Sequence, residues 1–446
     1  MLPLVIIIFV IGYITIVFEH PLHLDKTVPA LIMGALCWAA IALGHLDVVN
    51  HLHEVAPIED VLLHHIGKIA EILLFLIGAM TIVELIDLHR GFAVITNRIN
   101  TTKKSSMLWL ICILAFFLSA TLDNLASTIV LVSLLRKLVP DRTERIWFVS
   151  MGVIAANAGG AWSPIGDVTT TMLWIGKKVS TMGLVSHLVA PAIVCMIIPT
   201  VIGTMLPAFK GNLTVTAPDK DKAMQTERLL SSRLMLLLGV GALIFVPIFK
   251  TVTHLPPYVG MMLSLGVVWL ASEYVHPEED FTAERKHLYS AHTALSRIEL
   301  SSILFFLGIL VAVAALESVV KVDSEGHAMG FLMWVAEGMR AAIPNQNAVI
   351  IVLGFVSAVI DNVPLVAASM GMYPMDVYPM DDTLWHFIAY SAGTGGSMLI
   401  IGSAAGVAAM GMERIDFIWY FKKISWLAFI GFAAGAAVFI AIETMF

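Results

Sequence analysis

Charge is what this chain has least of. Only 13% of its 446 residues are Asp, Glu, Lys or Arg, against about 25% in soluble domains, while 59% are hydrophobic and the mean hydropathy is +0.89. That balance describes a polytopic membrane protein. Cysteine is scarce as well: Cys37, Cys112 and Cys195 all fall in apolar segments, which argues against a disulfide framework. No basic region precedes the apolar stretch 1–18 and no small-residue cleavage site follows it, so it reads as a first span and not as a cleaved leader. The ten-residue alternation of a membrane barrel is missing, whereas apolar runs of the length a spanning helix needs recur throughout. There is no nucleotide-binding loop, so direct ATP drive is not expected, and the chain is read as a transporter and not as an enzyme. The net charge of −7 is spread over the loops, which points to no nucleic-acid partner.

Against this background one polar signal stands out. Ser119-Ala120-Thr121-Leu122-Asp123-Asn124 sets an acid and an amide inside an apolar run, and Ser357-Ala358-Val359-Ile360-Asp361-Asn362 repeats both its start and its end. One such pair could be a loop or a helix cap. An ionisable group inside a membrane segment, however, costs roughly 3 kcal/mol or more, which makes it a functional-site candidate by default.

Apolar runs predict spans near 3–18, 28–44 and 69–88, a polar-centred stretch at 106–138, then 146–175 and 183–208. After a hydrophilic connection, 209–233, the order recurs as 234–249, 257–273, 297–318, a polar-centred stretch at 346–372, then 384–411 and 421–444. Landmarks recur with it. Gly34 and Trp38 correspond to Gly266 and Trp269, Phe75 and Gly78 to Phe305 and Gly308, and Gly159, Gly160 and Gly166 to Gly395, Gly396 and Gly402. Together with the Asp-Asn pairs, these matches predict two repeats, 1–208 and 234–446, an arrangement found in many secondary transporters.

Lys and Arg in short loops mark the cytoplasmic side. Arg90, Arg98, Lys103 and Lys104 precede the stretch 106–138, and Arg136, Lys137, Arg142 and Arg145 follow it. Both of its ends are therefore predicted inside, so it must enter and return as a re-entrant helical hairpin with Asp123 and Asn124 near its tip. Continuing the alternation places the N-terminus outside, makes the second half inverted, and brings the hairpin 346–372 in from the outer side. Lys177 and Lys178 fall on the outer side, against the trend.

Each hairpin is followed by a glycine-broken span. The first runs Asn157-Ala158-Gly159-Gly160-Ala161-Trp162-Ser163-Pro164-Ile165-Gly166-Asp167 and the second Thr394-Gly395-Gly396-Ser397-Met398-Leu399-Ile400-Ile401-Gly402-Ser403. Such glycines serve either close helix packing or the unwound centre of a discontinuous helix, where opposed half-helix ends build ion sites. These hairpin and broken-span pairs, with Gly78-Ala79-Met80-Thr81-Ile82-Val83-Glu84-Leu85-Ile86-Asp87, resemble the ion transporter superfamily and, within it, bacterial NhaD-type sodium/proton antiporters. The resemblance covers roughly residues 69–412. It implies an all-α polytopic fold of about ten full spans plus two hairpins, a homodimer in the bacterial inner membrane with a periplasmic N-terminus, and export of Na⁺ or Li⁺ against H⁺. The superfamily also holds anion, dicarboxylate and arsenite carriers.

Residue chemistry favours a cation among these. Each hairpin tip carries an Asp, the first broken span adds Asp167, and no Lys or Arg is predicted inside any core. A hard cation prefers oxygen ligands, and a buried carboxylate can hold either H⁺ or Na⁺. Asp123 and Asp361 are the expected exchanging pair and, with Asn124 and Asn362, the expected Na⁺ ligands. Ser163, Thr394 and Ser397 are the expected neutral donors, Asp167 a third acid, and Glu84 either a proton-path residue or a packing residue. Asp87 and Glu317 lie at span ends and read as solvated charges. The histidines His45, His51, His53, His64 and His65 are read as interfacial polar residues more than as a pH sensor. No cofactor is expected beyond the transported ions.

Overall fold

The computed structural model describes the whole chain except residues 19–21, 23, 51–53, 97, 98, 100, 214–228, 276–288, 323–327, 344, 360 and 446. The predicted connection 209–233 and the histidines at 51 and 53 thus lie largely or wholly outside the described residues.

The protein is all-α and polytopic. In the first half, α1 (Leu2–Val17), α2 (Thr27–Leu43) and α3 (Ile58–Leu88) precede a hairpin made of α4 (Lys104–Leu122) and α5 (Asn124–Leu138). A broken helix follows, α6 (Arg142–Gly160) and α7 (Val168–Ile175), and then α8 (Thr181–Met205). The second half repeats the order. It contains α9 (Ser232–Thr253), α10 (Pro257–Tyr274), α11 (Leu300–Ser318), α12 (Phe331–Ala342), the hairpin α13 (Gln346–Val359) and α14 (Asn362–Met372), the broken helix α15 (Thr383–Gly395) and α16 (Ala404–Glu413), and α17 (Ser425–Met445). Among the described residues, six single helices are long and apolar enough to cross a membrane: α3, α4, α8, α9, α11 and α17. The other expected spans are shorter or split at a break.

Three features depart from the predicted spans. First, α3 begins eleven residues before its predicted start and has 31 residues, about 46 Å at 1.5 Å per residue. Its added first turns carry Glu59 and Asp60, acids that suit a helix N-terminus, and His65 there meets the Ser318 hydroxyl at 2.9 Å. Second, α12 lies in what the sequence assigns to an outer loop. It is a twelve-residue amphipathic helix that buries Leu332 and Ala336 against α14 and α11. Third, Lys178 and Lys250 cap carbonyls at the end where basic residues were not expected. Lys178 donates to Tyr373 O at 3.2 Å over the Trp385 ring, and Lys250 donates to Trp174 O at 2.7 Å over the Trp174 ring. Those contacts hold Lys178 and Lys250 by packing, whereas Lys177 is exposed.

The hairpin follows from which ends meet. Lys104, at the start of α4, bonds Glu144 at the start of α6 at 2.7 Å. Arg136, at the end of α5, and Arg145, in the first turn of α6, both reach Glu413 at the end of α16, at 2.7 and 2.9 Å. Thus α4 begins and α5 ends on one Arg-rich face. The tail of α14 lies at the opposite face, where Tyr373 meets Lys178 and Asp381 accepts from Ser180 N at 2.7 Å. The hairpins therefore enter from opposite sides, and the broken helices run past each other in opposite directions.

Helix packing, within the halves and between them, has the same symmetry. α2 packs on α11 as α10 packs on α3, α4 on α6 as α13 on α15, and α8 on α17. Two close approaches, between each hairpin and its broken helix, are backbone to backbone. A Cβ on Gly159 would stand 2.1 Å from Phe116 O, and one on Gly395 would stand 2.3 Å from Gly354 O. Close packing is thus the role of these two glycines, and the unwound segments begin just after them.

Candidate functional site

The site is assembled from half-helix N-termini. Asp123 accepts from Ala126 N at 2.7 Å and caps α5, while Asp167 accepts from Thr169 N at 2.8 Å and caps α7. Asp361 accepts from Val363 N at 3.3 Å and caps α14, and Ser403 accepts from Gly406 N at 3.1 Å and caps α16. Capping and membrane chemistry are therefore one arrangement here, since each acid sits where a helix presents unsatisfied N–H groups and the positive end of its dipole. Asp123 is held differently from its twin. Its backbone has φ 82° and ψ 163°, a region that is essentially glycine's and costs a side-chain-bearing residue about 1–3 kcal/mol, whereas Asp361 has φ −45°.

Asp167, read from the sequence as a third acid, is the centre. It is 1% exposed. Asn124 from the first hairpin tip donates to its Oδ2 at 2.5 Å, and Asn362 from the second tip approaches Oδ2 at 3.3 Å. The Thr169 hydroxyl donates to Oδ1 at 2.7 Å. The carboxylate also lies within electrostatic reach of both Asp123 and Asp361. Among the described residues no three His, Cys, Asp or Glu side chains converge as one ligand set. The three aspartates are thus linked through amides and do not form a common cage.

Asn157, fully buried on α6, joins the two halves. Its Oδ1 accepts from Asn124 at 3.0 Å, and its Nδ2 donates to Ser397 and Ser403 at 2.9 Å each. It stands in the first broken span as read from the sequence, with no role expected of it, and its counterpart in the second is Gly393. The available signal was a lone amide two residues before a glycine pair in an apolar helix. Of the expected neutral donors, Ser397 is in the network. Ser163 is buried in the first break and bonds locally, its Oγ accepting from Ile165 N at 3.4 Å. Thr394 spends its hydroxyl on Tyr390 O in its own helix, at 2.6 Å. Glu84 stands on α3 near Asp87 and Arg297, with no bond to the network.

One expectation is corrected. The sequence predicted no cationic side chain at the core, but Lys26, at the start of α2, places its ammonium 3.2 Å from Asp361 Oδ2 and 4.5 Å from the centre of the Phe305 ring. The residue lies in the short connection before the second span, and the fold of α1 and α2 against the second hairpin brings it to the tip.

Residues 13–387 match the model of the citrate transporter family. Sodium/proton antiporter 1 of Arabidopsis thaliana is 44% identical over 440 residues, 98% of this chain and 72% of that protein. The Na(+)/H(+) antiporter NhaD of Alkalimonas amylolytica is 31% identical over 457 residues, 97% of this chain and 89% of that protein. The chain belongs to the citrate transporter family, in its NhaD-type branch. The fold of this NhaD-type transporter matches the crystal structure of the Alcanivorax borkumensis YdaH transporter with a TM-score of 0.60, covering 95% of this chain and 99% of that one at 11% identity. That likeness bears on the fold alone.

Proposed function

We propose that the protein is a secondary active antiporter that exports Na⁺, and Li⁺ with it, in exchange for H⁺ by alternating access. The observation that carries this reading is Asp167, a buried carboxylate that both hairpin tips address through Asn124 and Asn362. An acid held in that setting binds a proton or a cation but not both, and its occupancy is felt at both tips at once. Asp123 and Asp361 lie to either side as further exchanging carboxylates, with Ser397 as a neutral oxygen donor. Ser163, Thr394 and Glu84 stand outside the network and take, at most, supporting roles along the path. The names of the related antiporters support the choice of ions. The domain division is 1–208 and 234–446 around the connection 209–233. The Arg-rich face is proposed to be cytoplasmic in a bacterial inner membrane, with the N-terminus outside and two copies forming a homodimer.

The test is proton flux in proteoliposomes, read with a pH-sensitive dye as NaCl, LiCl, KCl or citrate is added to wild type and to Asp167→Asn. A response to Na⁺ and Li⁺ that disappears in the variant supports the proposal. Lys26 and the citrate transporter family match favour a second reading, an anion carrier on the same scaffold; a response to citrate alone, with none to any cation, would select it.

A further inference from the structure

Lys26 makes a contact at the second tip that the exchange reading does not use. Its ammonium reaches Asp361 Oδ2 from the N-terminus of α2, whereas Asp361 belongs to the second hairpin, so the ion pair joins two elements far apart in sequence. α2 packs on α1 and α11; of the two hairpin arms, α13 packs on α15 while α14 packs on α11, so the ion pair adds a direct tie between elements that already share α11 as a neighbour. Beside the pair lies a cavity of ≈ 40 Å³ lined by Tyr13, Ile16, Val17, Lys26, Asp361 and Pro364, among others. A cavity needs about 10–15 Å³ of such space to hold one water, so this one has room for a few waters, or for a monovalent cation that keeps part of its hydration. The side chains of Lys26 and Asp361 are 20% and 12% exposed, so the pair is accessible from outside yet screened less than a surface pair.

We infer that Lys26 is a tethered counter-cation that competes with Na⁺ for Asp361. In the structure the ammonium takes the position beside Oδ2 where an arriving Na⁺ would neutralise the same charge. Both cannot hold that oxygen, so Na⁺ entering the adjoining cavity displaces the ammonium from Asp361 and leaves it the Phe305 ring face that it already overlies. The displacement also removes the direct ion pair between the start of α2 and the second hairpin tip, so ion binding and the loosening of that tie are a single event. Asp361 then exchanges Na⁺ for an ammonium, and the exchange for H⁺ falls to Asp167 and Asp123. No bond is made or broken in this step; two cations trade places on one carboxylate.

This inference rests on the sodium/proton reading, so its test is arranged to separate the two. Half-saturating Na⁺ is measured by proton flux in proteoliposomes for wild type, Lys26→Met and Lys26→Arg, and again in detergent from the Na⁺ concentration that raises the thermal midpoint. Removing the competitor in Lys26→Met should lower half-saturating Na⁺ about fivefold in both measurements, the upper range for a partly exposed ion pair. Lys26→Arg, with a permanent charge and a two-pronged grip on carboxylate, should raise it. A residue that only packs would not move the two variants in opposite directions. Wild type without a Na⁺ response would sink the antiport reading and this inference with it. A normal wild-type response with half-saturating Na⁺ unchanged or raised in Lys26→Met would overturn the inference alone. If Lys26→Met does not accumulate folded, Lys26→Arg decides: a higher half-saturating Na⁺ supports the competition and an unchanged one refutes it.

Discussion

Asn157→Ala is the most incisive test of the network that joins the two halves. The amide is fully buried and makes three hydrogen bonds, to Asn124, Ser397 and Ser403, at 2.9 to 3.0 Å. Each such bond contributes about 1 kcal/mol net, and more where a buried partner is left unsatisfied. Ser403 keeps Gly406 N and Asn124 keeps Asp167, so the full penalty falls mainly on Ser397 and the loss should total about 3 kcal/mol. An unfolding entropy of about 2.1 cal/mol/K per residue over this chain length converts that loss to a fall in Tm of about 3 °C. Thermal unfolding of the detergent-solubilised protein reads it directly. Ser397→Ala alone should cost about 1 kcal/mol, and the double variant should fall short of the sum by a similar amount, because the two share one bond. A shift under 1 °C for Asn157→Ala, or strict additivity with Ser397→Ala, would refute the idea that this amide bridges the broken helices.

Three further outcomes follow from the packing. Gly159→Ala and Gly395→Ala each drive a methyl into a carbonyl oxygen of the neighbouring hairpin, at 2.1 and 2.3 Å, so both should lower folded yield in size-exclusion chromatography, while Gly411→Ala, with open space around it, should not. Glu413→Ala strips the carboxylate from Arg136, which is about half exposed, and from Arg145, which keeps the Val139 and Pro140 carbonyls; the loss should be about 1–2 kcal/mol, so Tm should fall by about 1–2 °C and Glu413→Gln by less. His89, just beyond α3, is buried with Nδ1 2.8 Å from Ser231 Oγ, and burial holds its imidazole down at about 4 from the usual 6.5. The fold favours the neutral ring, so its stability is complete above pH 6.5 and is lost as pH falls toward 4, by about 3 kcal/mol. Tm measured across that interval should drop less steeply in His89→Gln.

Much of this architecture was legible because polar residues are so rare in the chain that each one carries information. The Asp-Asn pairs marked the hairpin tips, and basic residues at both ends of 106–138 required the first hairpin to return, as Lys104 and Arg136 now show by meeting Glu144 and Glu413 on one face. The glycine pairs located the breaks, although Gly159 and Gly395 proved to serve close packing. What escaped were contacts that only the folded chain creates. Lys26 sits in a stretch whose composition reads as a connection, and nothing local says that its ammonium will end beside a residue more than three hundred positions away. Asn157 is an uncharged amide in an apolar helix, and only the folded chain sets Ser397 and Ser403 of the other half against it. The helix α12 carries Glu337 and Arg340 within twelve residues, too short and too polar to register as apolar.

The inequality of the two halves has a consequence of its own. Asp167 answers to Ser403, and Asn157 to Gly393, although the backbones around them are paired so closely. A molecule made of two identical first halves would set two such aspartates, and two bridging asparagines, into the one network at the pseudo-twofold centre, where like charges repel. A molecule made of two identical second halves would have neither the acid nor the bridge. The doubled framework can therefore support a single central carboxylate only if its copies differ at the axis, and substitutions that restore symmetry there, such as Ser403→Asp, should be tolerated far less well than equal changes elsewhere in the repeat.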